Sequence, residues 1–267
     1  MKNVVYNVLN KLPKVYIALV FAFIYLPILC VAALSFNQAR NGASWGGFTL
    51  DWYVQMAADN NLTDALAISL QVAVAASVLA ACVGTLGAVT VMRSRKGGNI
   101  TNGLMYLPLV LPEIILGIAF MMVFSVLPFS LGRMALVLTH SAFCAPFVYL
   151  LVSIRLKAAD KSVFEAARDL GAEKRQVFFT ITLPLVLPAI LSGTLISIAM
   201  SLDDFIISYF VADPYSETLP IRIFSMIKKP EVSRKINALC TLMFAVAFVI
   251  AGIMRQTIMV KKNRGME

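Results

Sequence analysis

The chain contains six long apolar stretches, and each of them is long enough to cross a bilayer as a helix. They cover residues 15–36, 66–92, 104–127, 134–154, 183–210 and 236–258. Crossing about 30 Å of hydrocarbon takes about 20 helical residues, and a helix satisfies its own backbone hydrogen bonds in lipid. We therefore predict an all-α polytopic membrane protein with six transmembrane helices, folded as one domain over residues 1–267.

The few charged residues lie mostly between these stretches and account for the net charge. They make up 14% of the chain, and hydrophobic residues make up 60%, whereas a soluble domain carries about 25% charged residues. The formal net charge of +9 does not indicate a nucleic-acid-binding protein, because the basic residues mostly flank spans, where they contact inner-leaflet headgroups. A soluble class is therefore excluded.

The loops differ in their content of Lys and Arg, and this difference predicts the orientation. Sixteen basic residues lie before the first span, after the second, after the fourth and at the C-terminus, and seven lie in the other loops. The positive-inside rule therefore places both termini in the cytoplasm. Residues 211–235 disagree, because five basic residues lie there on the outer side, but the first span usually sets the orientation.

The longest basic loop, residues 155–182, contains the signals of a short helix. Ser162 followed by Glu165 at the third position is a capping box, which predicts a helix beginning at Val163. Gly171 suits the left-handed residue that ends a helix. Such a short helix is marginal in water.

The predicted helix carries one narrow apolar stripe. Val163, Ala166, Ala167 and Leu170 recur at helical spacing, and the two alanines allow close approach to a partner. Either the membrane surface or a groove in another protein has to cover this stripe.

The spacing of Glu165-Ala166-Ala167, Gly171, Ile181 and Leu183-Pro184 resembles the EAA signature of permease subunits of bacterial ATP-binding-cassette (ABC) importers. The resemblance implies that the segment is a coupling helix that docks in a groove of a cytoplasmic ATPase, with Leu183-Pro184 at the turn into the fifth span. The residues implied in coupling are Ser162, Val163, Phe164, Glu165, Ala166, Ala167, Leu170, Gly171, Ile181, Leu183 and Pro184.

Further segments resemble the polyamine (spermidine/putrescine) subfamily of these permeases. They are Gly47-Phe48-Thr49, Trp52-Tyr53, Ser201–Asp204, Thr218-Leu219-Pro220 and Asn237-Ala238-Leu239. The resemblance implies the type I ABC importer fold, in which the chain forms half of a polyamine pathway through the bacterial inner membrane. The implied partners are a second permease in a heterodimer, two ATPase subunits and a periplasmic or lipid-anchored polyamine-binding protein.

The sequence contains no Gly-x4-Gly-Lys-Ser/Thr loop for phosphate binding. We therefore expect no ATPase site and no cofactor in this chain, with ATP bound by the partner subunits. The one histidine, His140, gives neither a metal site nor a catalytic pair, and we expect it to be a hydrogen-bonded interior residue. The four cysteines are spaced for neither metal nor disulfide.

The third stretch contains an acidic residue directly after a proline. Pro108 and Pro112 each remove a backbone donor, so the helix should kink or partly unwind. Glu113 would lie about 13 Å from the cytoplasmic end of a straight helix. An ionisable group at that depth is costly unless it faces a cavity or a partner, so Glu113 is either a cation-pathway residue or a protonated acid bonded to a neighbouring helix.

The fifth stretch ends with two adjacent acids and two aromatic residues near the outer mouth. Asp203 and Asp204 are 100° apart on a helix, so they cannot face one ligand equally, and one of them should cap or reach the surface. Polyamines carry several positive charges, which carboxylates and aromatic faces attract. The candidate pathway residues are therefore Glu113, Asp203, Asp204, Phe205 and Tyr209, and we expect Asp203 to matter more than Asp204.

Two other classes of protein place acids inside a membrane. An ion-coupled secondary transporter of a small cation predicts internal repeats, which the sequence lacks, and it does not explain the capped helix. An intramembrane aspartyl protease needs two carboxylates facing each other across helices, whereas Asp203 and Asp204 are neighbours on one helix.

Overall fold

The computed structural model describes residues 2–39, 44–93, 98–127, 131–227 and 230–263. Within these ranges the only β pairing is an isolated bridge between Asn37 and Phe48, so the predicted all-α class is confirmed. The helices are α1 (Lys2–Ser35), α2 (Asp51–Ala57), α3 (Asn60–Arg93), α4 (Gly98–Val110), α5 (Glu113–Val126), α6 (Arg133–Lys157), α7 (Lys161–Asp169), α8 (Lys174–Val177), α9 (Leu183–Asp203), α10 (Ile206–Val211), α11 (Leu219–Met226) and α12 (Pro230–Asn263).

Several of these helices are long and apolar enough to cross a membrane. In the described part of the chain four qualify singly, and the bent pair of α4 and α5 makes a fifth if it counts as one span. The single spans are Pro13–Ser35, Asn60–Met92, Arg133–Lys157 and Lys174–Asp203. The sixth predicted span, 236–258, lies within α12, which is one continuous helix but does not meet the same criterion among the described residues.

The third span is broken rather than kinked. Helices α4 and α5 meet at a bend of 113°, because Pro112 is extended with ψ 136° and cannot donate to the turn before it. The carbonyl of Pro112 accepts hydrogen bonds from the backbone of Ile115 and Leu116 and so begins α5. Glu113 therefore starts a new helix, and a depth measured along one straight helix does not apply to it.

The fifth span differs from its predicted bounds, 183–210, at both ends. Its helix begins nine residues earlier at Lys174, through α8 and a π-helical segment, Phe178–Thr182. It then breaks between Asp203 and Ile206, where Asp204 is extended with ψ 122°. The predicted turn at Leu183-Pro184 is wrong, because both residues lie in the first turn of α9.

The π-helical segment has a physical cause in the sequence. Pro184 has no N–H, and its ring conflicts with the carbonyl one turn earlier in a regular helix. A wider turn avoids that conflict, and the hydroxyl of Thr182 donates to the carbonyl of Val177 at 3.3 Å, five residues back. The connection from Lys174 into α9 is therefore one uninterrupted helical rod.

The chain forms two compact units, one comprising the residues up to Thr63 together with those from Ser225 onward, and the other Asp64–Phe224. In the first unit, α1 and α2 pack on α12. The indole of Trp52 is buried and donates to the carbonyl of Asn37 at 2.9 Å. Lys235 Nζ lies 3.3 Å from Asp59 Oδ2 and ties α12 to the loop after α2.

The second unit is built around α6, which packs most extensively on α9 and also contacts α4. Its Val148 is fully buried where two glycines let neighbouring helices approach. A Cβ on Gly193 of α9 would lie 2.9 Å from the Cα of Val148, and one on Gly84 of α3 would lie 2.7 Å from the carbonyl oxygen of Ala145. Small residues at such crossings allow helices in lipid to pack by van der Waals contact.

Candidate functional site

The cytoplasmic helix predicted from the sequence is α7, but its N-cap is not the residue predicted. The helix begins at Lys161 rather than Val163. Asp160 Oδ1 accepts a hydrogen bond from the backbone N–H of Ser162 at 2.9 Å, so Asp160 is the cap and Ser162 lies in the first turn. The same hydrogen bond holds the pKa of Asp160 below its ordinary value, because it stabilises the carboxylate form.

The C-terminal end of α7 is as predicted. Gly171 has φ 76°, in the left-handed region. The backbone N–H of Ala172 donates to the carbonyl of Ala167 at 3.0 Å, which is the six-to-one bond of a Schellman motif. A Cβ on Gly171 would meet nothing within 4 Å, so the glycine is required for its backbone conformation alone.

The apolar residues of α7 divide between two faces. Phe164 and Ala167 are half-buried. Leu170 is 88% exposed and Val163 is 49% exposed, and Ala166 between them is also exposed. These three residues, Val163, Ala166 and Leu170, form a stripe that no described part of the chain covers, and we call it the α7 stripe.

The rest of the implied coupling segment leads directly to the membrane. Glu165 is exposed on α7. Ile181 lies in the π-helical segment and is half-buried, as is Leu183, whereas Pro184 is exposed. Four residues, 170–173, therefore separate α7 from the helical rod that contains α9.

The second site is the break between α9 and α10. A break leaves the first N–H groups of the new helix without intrahelical partners. The carboxylate of Asp204 accepts the N–H of Ser208 at 2.8 Å and that of Ile207 at 3.3 Å. Asp204 is only 9% exposed, so of the two adjacent acids it is the one that caps.

His140 of α6 completes the hydrogen bonding around the break. Its Nδ1 lies 2.7 Å from Ser201 Oγ, and its Nε2 lies 3.0 Å from Ser208 Oγ and 3.4 Å from Asp204 Oδ2. Ser208 Oγ in turn donates to Asp204 Oδ2 at 2.7 Å. All four residues are buried, and we call them the His140 cluster. The expectation that His140 is a hydrogen-bonded interior residue is confirmed.

Asp203, one residue before Asp204, has the opposite environment. Its side chain is exposed. Next to it, the ring of Phe205 lies 5.6 Å from that of Tyr209 and 4.8 Å from that of Phe224, between centroids. Tyr209 is 59% exposed, so the break presents a carboxylate beside an accessible aromatic group.

Helix α5 packs closely against α10. A Cβ on Gly117 of α5 would lie 3.3 Å from the Cα of Ile207 of α10. Phe124, two turns further along α5, belongs to the same buried cluster as Val211, one turn further along the partner helix. A glycine at this crossing lets the two backbones approach closely.

Two of the predicted acids precede this crossing in the chain by a few residues. Glu113 lies four residues before Gly117, and Asp203 lies four residues before Ile207. Both side chains are exposed; Glu113 begins α5, and Asp203 ends α9 directly before the break. Phe205 and Tyr209 lie near Asp203, whereas Asp204 faces the interior.

Sequence reasoning missed Asp160, Ser201 and Ser208 as members of these sites. Asp160 was detectable, because aspartate two residues before Ser162 is an equally good N-cap. The two serines were not, because their partner His140 lies 61 and 68 residues away along the chain. Among the described residues there is no group of three or more His, Cys, Asp or Glu side chains that could hold a metal ion.

Comparison with known families covers both sites. The family model described as "Binding-protein-dependent transport system inner membrane component" matches residues 73–259. The spermidine/putrescine transport system permease protein PotC of Haemophilus influenzae is 36% identical over 253 residues, which is 94% of this chain and 98% of that protein. The putrescine transport system permease protein PotI of Escherichia coli K12 is 36% identical over 241 residues, with 87% and 85% of the two chains covered.

The backbone is also similar to solved structures. A chain of a bacterial ABC transporter involved in the import of the acidic polysaccharide alginate superposes with a TM-score of 0.75, at 14% sequence identity, and covers 93% of this chain and 96% of that one. This likeness shows the fold, which is the predicted transmembrane domain of a type I importer. The relatives support the permease over the ion-coupled secondary transporter. The chain is a multi-pass inner-membrane protein, and it belongs to the family of inner-membrane components of binding-protein-dependent transport systems.

Proposed function

We propose that this chain forms half of a pathway that carries spermidine or putrescine into the cytoplasm, in an importer driven by ATP hydrolysis in partner subunits. The observation that carries the proposal is the exposed carboxylate of Asp203 beside the aromatic group of Phe205, Tyr209 and Phe224. Two relatives with 36% identity are named as permeases of spermidine/putrescine and putrescine transport systems.

The chemistry of the Asp203 group suits a flexible polycation. A carboxylate in a poorly hydrated site attracts an ammonium group strongly. An aromatic face attracts a neighbouring ammonium or its methylene chain, by about 0.5–2 kcal/mol. Glu113 is exposed at the first residue of α5, and we include its carboxylate in the proposed pathway as a second group that attracts cations.

The proposed assembly contains a second permease, two cytoplasmic ATPase subunits and an external polyamine-binding protein. The α7 stripe is the surface that an ATPase groove would cover, since its exposed leucine, valine and alanine need an apolar partner. ATP would be bound by the ATPase subunits, and this chain would contribute no cofactor. Closure of the ATPases would displace α7 and, through the rod that begins at Lys174, move the Asp203 group between outward and inward access.

The orientation of the termini is part of the same proposal, because α7 has to lie in the cytoplasm to meet an ATPase. Cysteines introduced at Trp45 and Tyr215, which are both exposed, should react with an impermeant reagent added outside intact cells. A cysteine at Lys262 should react only after the membrane is opened. Labelling of position 262 from outside would overturn the topology.

The substrate is tested by uptake of labelled spermidine and putrescine into proteoliposomes that contain the complete complex. Asp203→Asn and Glu113→Gln keep the size and hydrogen bonding of the side chains and remove only charge, so both should lower uptake. Asp64→Asn, which neutralises an exposed carboxylate at the start of α3, serves as the matched control and should transport normally. Wild-type uptake in both Asp203→Asn and Glu113→Gln would refute the proposed pathway.

A further inference from the structure

The His140 cluster joins three helical segments at the point where the fifth span is interrupted. His140 lies on α6, Ser201 on the last turn of α9, and Ser208 on α10. The ring of His140 therefore holds the end of one helix with Nδ1 and the start of the next with Nε2. This arrangement fixes the direction in which α10 leaves the break.

The hydrogen bonds of the cluster are mutually consistent. Asp204 accepts from the hydroxyl and the backbone N–H of Ser208. With the proton of His140 on Nε2, the ring donates toward Ser208 and Asp204 and accepts the hydroxyl proton of Ser201 at Nδ1. Every buried polar atom named here then has a partner, which is the condition under which a buried polar network rigidifies its surroundings.

The cluster controls the placement of groups that it does not contain. Asp203 and Phe205 flank Asp204 in the chain, and both depend on its extended backbone for their direction. Tyr209 follows Ser208 directly, so its ring moves with the hydroxyl that His140 holds. The break is thus fixed from the inside, while its exposed side carries the carboxylate and the aromatic rings.

We propose that His140 is a positioning residue of the translocation pathway, which clamps the break between α9 and α10 and so aims Asp203, Phe205 and Tyr209 at the passing polyamine. This inference rests on the proposed function. It assigns His140 no contact with the substrate, because its side chain is fully buried. Loss of the clamp should leave a permease that assembles and responds to ATP but transfers its substrate poorly.

The test measures polyamine transported per ATP hydrolysed, in proteoliposomes with the complete complex. His140→Leu should lower this ratio roughly five- to tenfold, the effect expected from leaving buried polar groups without a partner. His140→Gln, which keeps a donor and an acceptor, should recover part of the loss. Thr139→Val is the matched control, because Thr139 is buried next to His140 but donates to the carbonyl of Ala135 on its own helix.

A folding defect would be recognised because it lowers uptake and ATP hydrolysis together, in proportion to the amount of complex. If His140→Leu assembles too poorly to assay, Ser201→Ala removes only the Nδ1 partner and should lower the ratio in the same direction. An unchanged ratio in the assembled His140 or Ser201 variant would overturn the inference.

A double variant separates this inference from the function on which it rests. If His140 acts by aiming Asp203, Phe205 and Tyr209, then His140→Leu should lower transport per ATP by a smaller factor in the Asp203→Asn background than on its own, since residues that act as one unit are not additive. Fully additive losses would refute the positioning role while leaving the pathway intact. Normal transport by both Asp203→Asn and Glu113→Gln would instead refute the proposed function.

Discussion

Helix α7 and the break in the fifth span differ in which of their side chains have partners within this chain. Both ends of helix α7 are capped by neighbouring residues, Asp160 at the N-terminus and Gly171 at the C-terminus. The α7 stripe nevertheless remains exposed. The break buries the polar groups of the His140 cluster against α6 and exposes Asp203 and Tyr209. The first region therefore needs a partner from outside, whereas the second is complete within this chain.

Under the proposed function, these two regions separate coupling from transport within one chain. A surface that is stable but uncovered can bind and release another subunit without refolding. A pathway that has to hold a charged substrate in a low-dielectric region needs carboxylates whose positions are fixed before the substrate binds. A flexible carboxylate would first have to reorganise, and the cost of doing so weakens its attraction for the substrate. Variants at the two regions should therefore fail differently.

The largest effect is expected at the α7 stripe. Leu170→Asp places a charge at its most exposed apolar position and should abolish both uptake and co-purification of the ATPase subunits, because a charge without a partner in an apolar groove costs several kcal/mol. The amount of permease in the membrane should stay normal. Leu170→Met, which conserves volume, is the control. Retention of the ATPases by Leu170→Asp would remove the stripe from the coupling interface.

The next effect distinguishes the two adjacent aspartates by stability. Asp204→Ala removes the acceptor for two backbone N–H groups and a hydroxyl, and it should destabilise the detergent-solubilised protein by about 2 kcal/mol. Asp203→Ala should change stability by less than about 0.5 kcal/mol, as surface substitutions usually do. Thermal unfolding of the two purified variants checks this difference. Equal shifts would mean that the break does not depend on Asp204.

A smaller effect is expected at Gly171, where the backbone alone sets the requirement. Gly171→Ala should destabilise α7 by about 1 kcal/mol, because a Cβ disfavours the left-handed region. Gly171→Asn should cost less, since asparagine tolerates that conformation. Affinity for the ATPase subunits, measured by titration, should fall in the order Gly, Asn, Ala. A loss that instead follows side-chain volume would point to a steric contact with the partner.

The smallest effect decides between two caps for α7. Asp160→Ala should weaken ATPase binding a few-fold, and Ser162→Ala should not, because the carboxylate of Asp160 is the acceptor at the N-terminus. The pKa of Asp160 is lowered in the folded chain, so its contribution is present above the ordinary carboxyl pKa and is lost on acidification below it. A larger effect from Ser162→Ala than from Asp160→Ala would instead support the predicted capping box of Ser162 and Glu165.

Much of this architecture is readable from the sequence, because span length and capping are local signals. The apolar stretches, the short helix α7 and Gly171 at its end all follow from patterns within a few residues. Pro112 gave a visible reason for a kink, although not for a bend of 113°. The break at Asp204 contains neither proline nor glycine, so no local signal predicts it. It is stabilised by His140, which lies 64 residues earlier in the chain.

The same limit explains the two misplaced boundaries in the coupling segment. Ser162 and Asp160 are both good N-caps, and only the folded backbone shows which one accepts the hydrogen bond. Pro184 suggested a turn, yet the helix accommodates it through the π-helical segment, Phe178–Thr182, and continues into α9. Local sequence therefore indicates that an element begins nearby but does not fix its first residue.

The separation of coupling from transport is tested most directly by purifying the complete complex with Leu170→Asp and with Asp203→Asn, and measuring bound ATPase and polyamine uptake for each. We expect Leu170→Asp to lose the ATPase subunits and uptake together. We expect Asp203→Asn to keep the ATPase subunits in full and to lose uptake. Loss of the ATPases in both variants, or retention of uptake by Leu170→Asp, would contradict this separation.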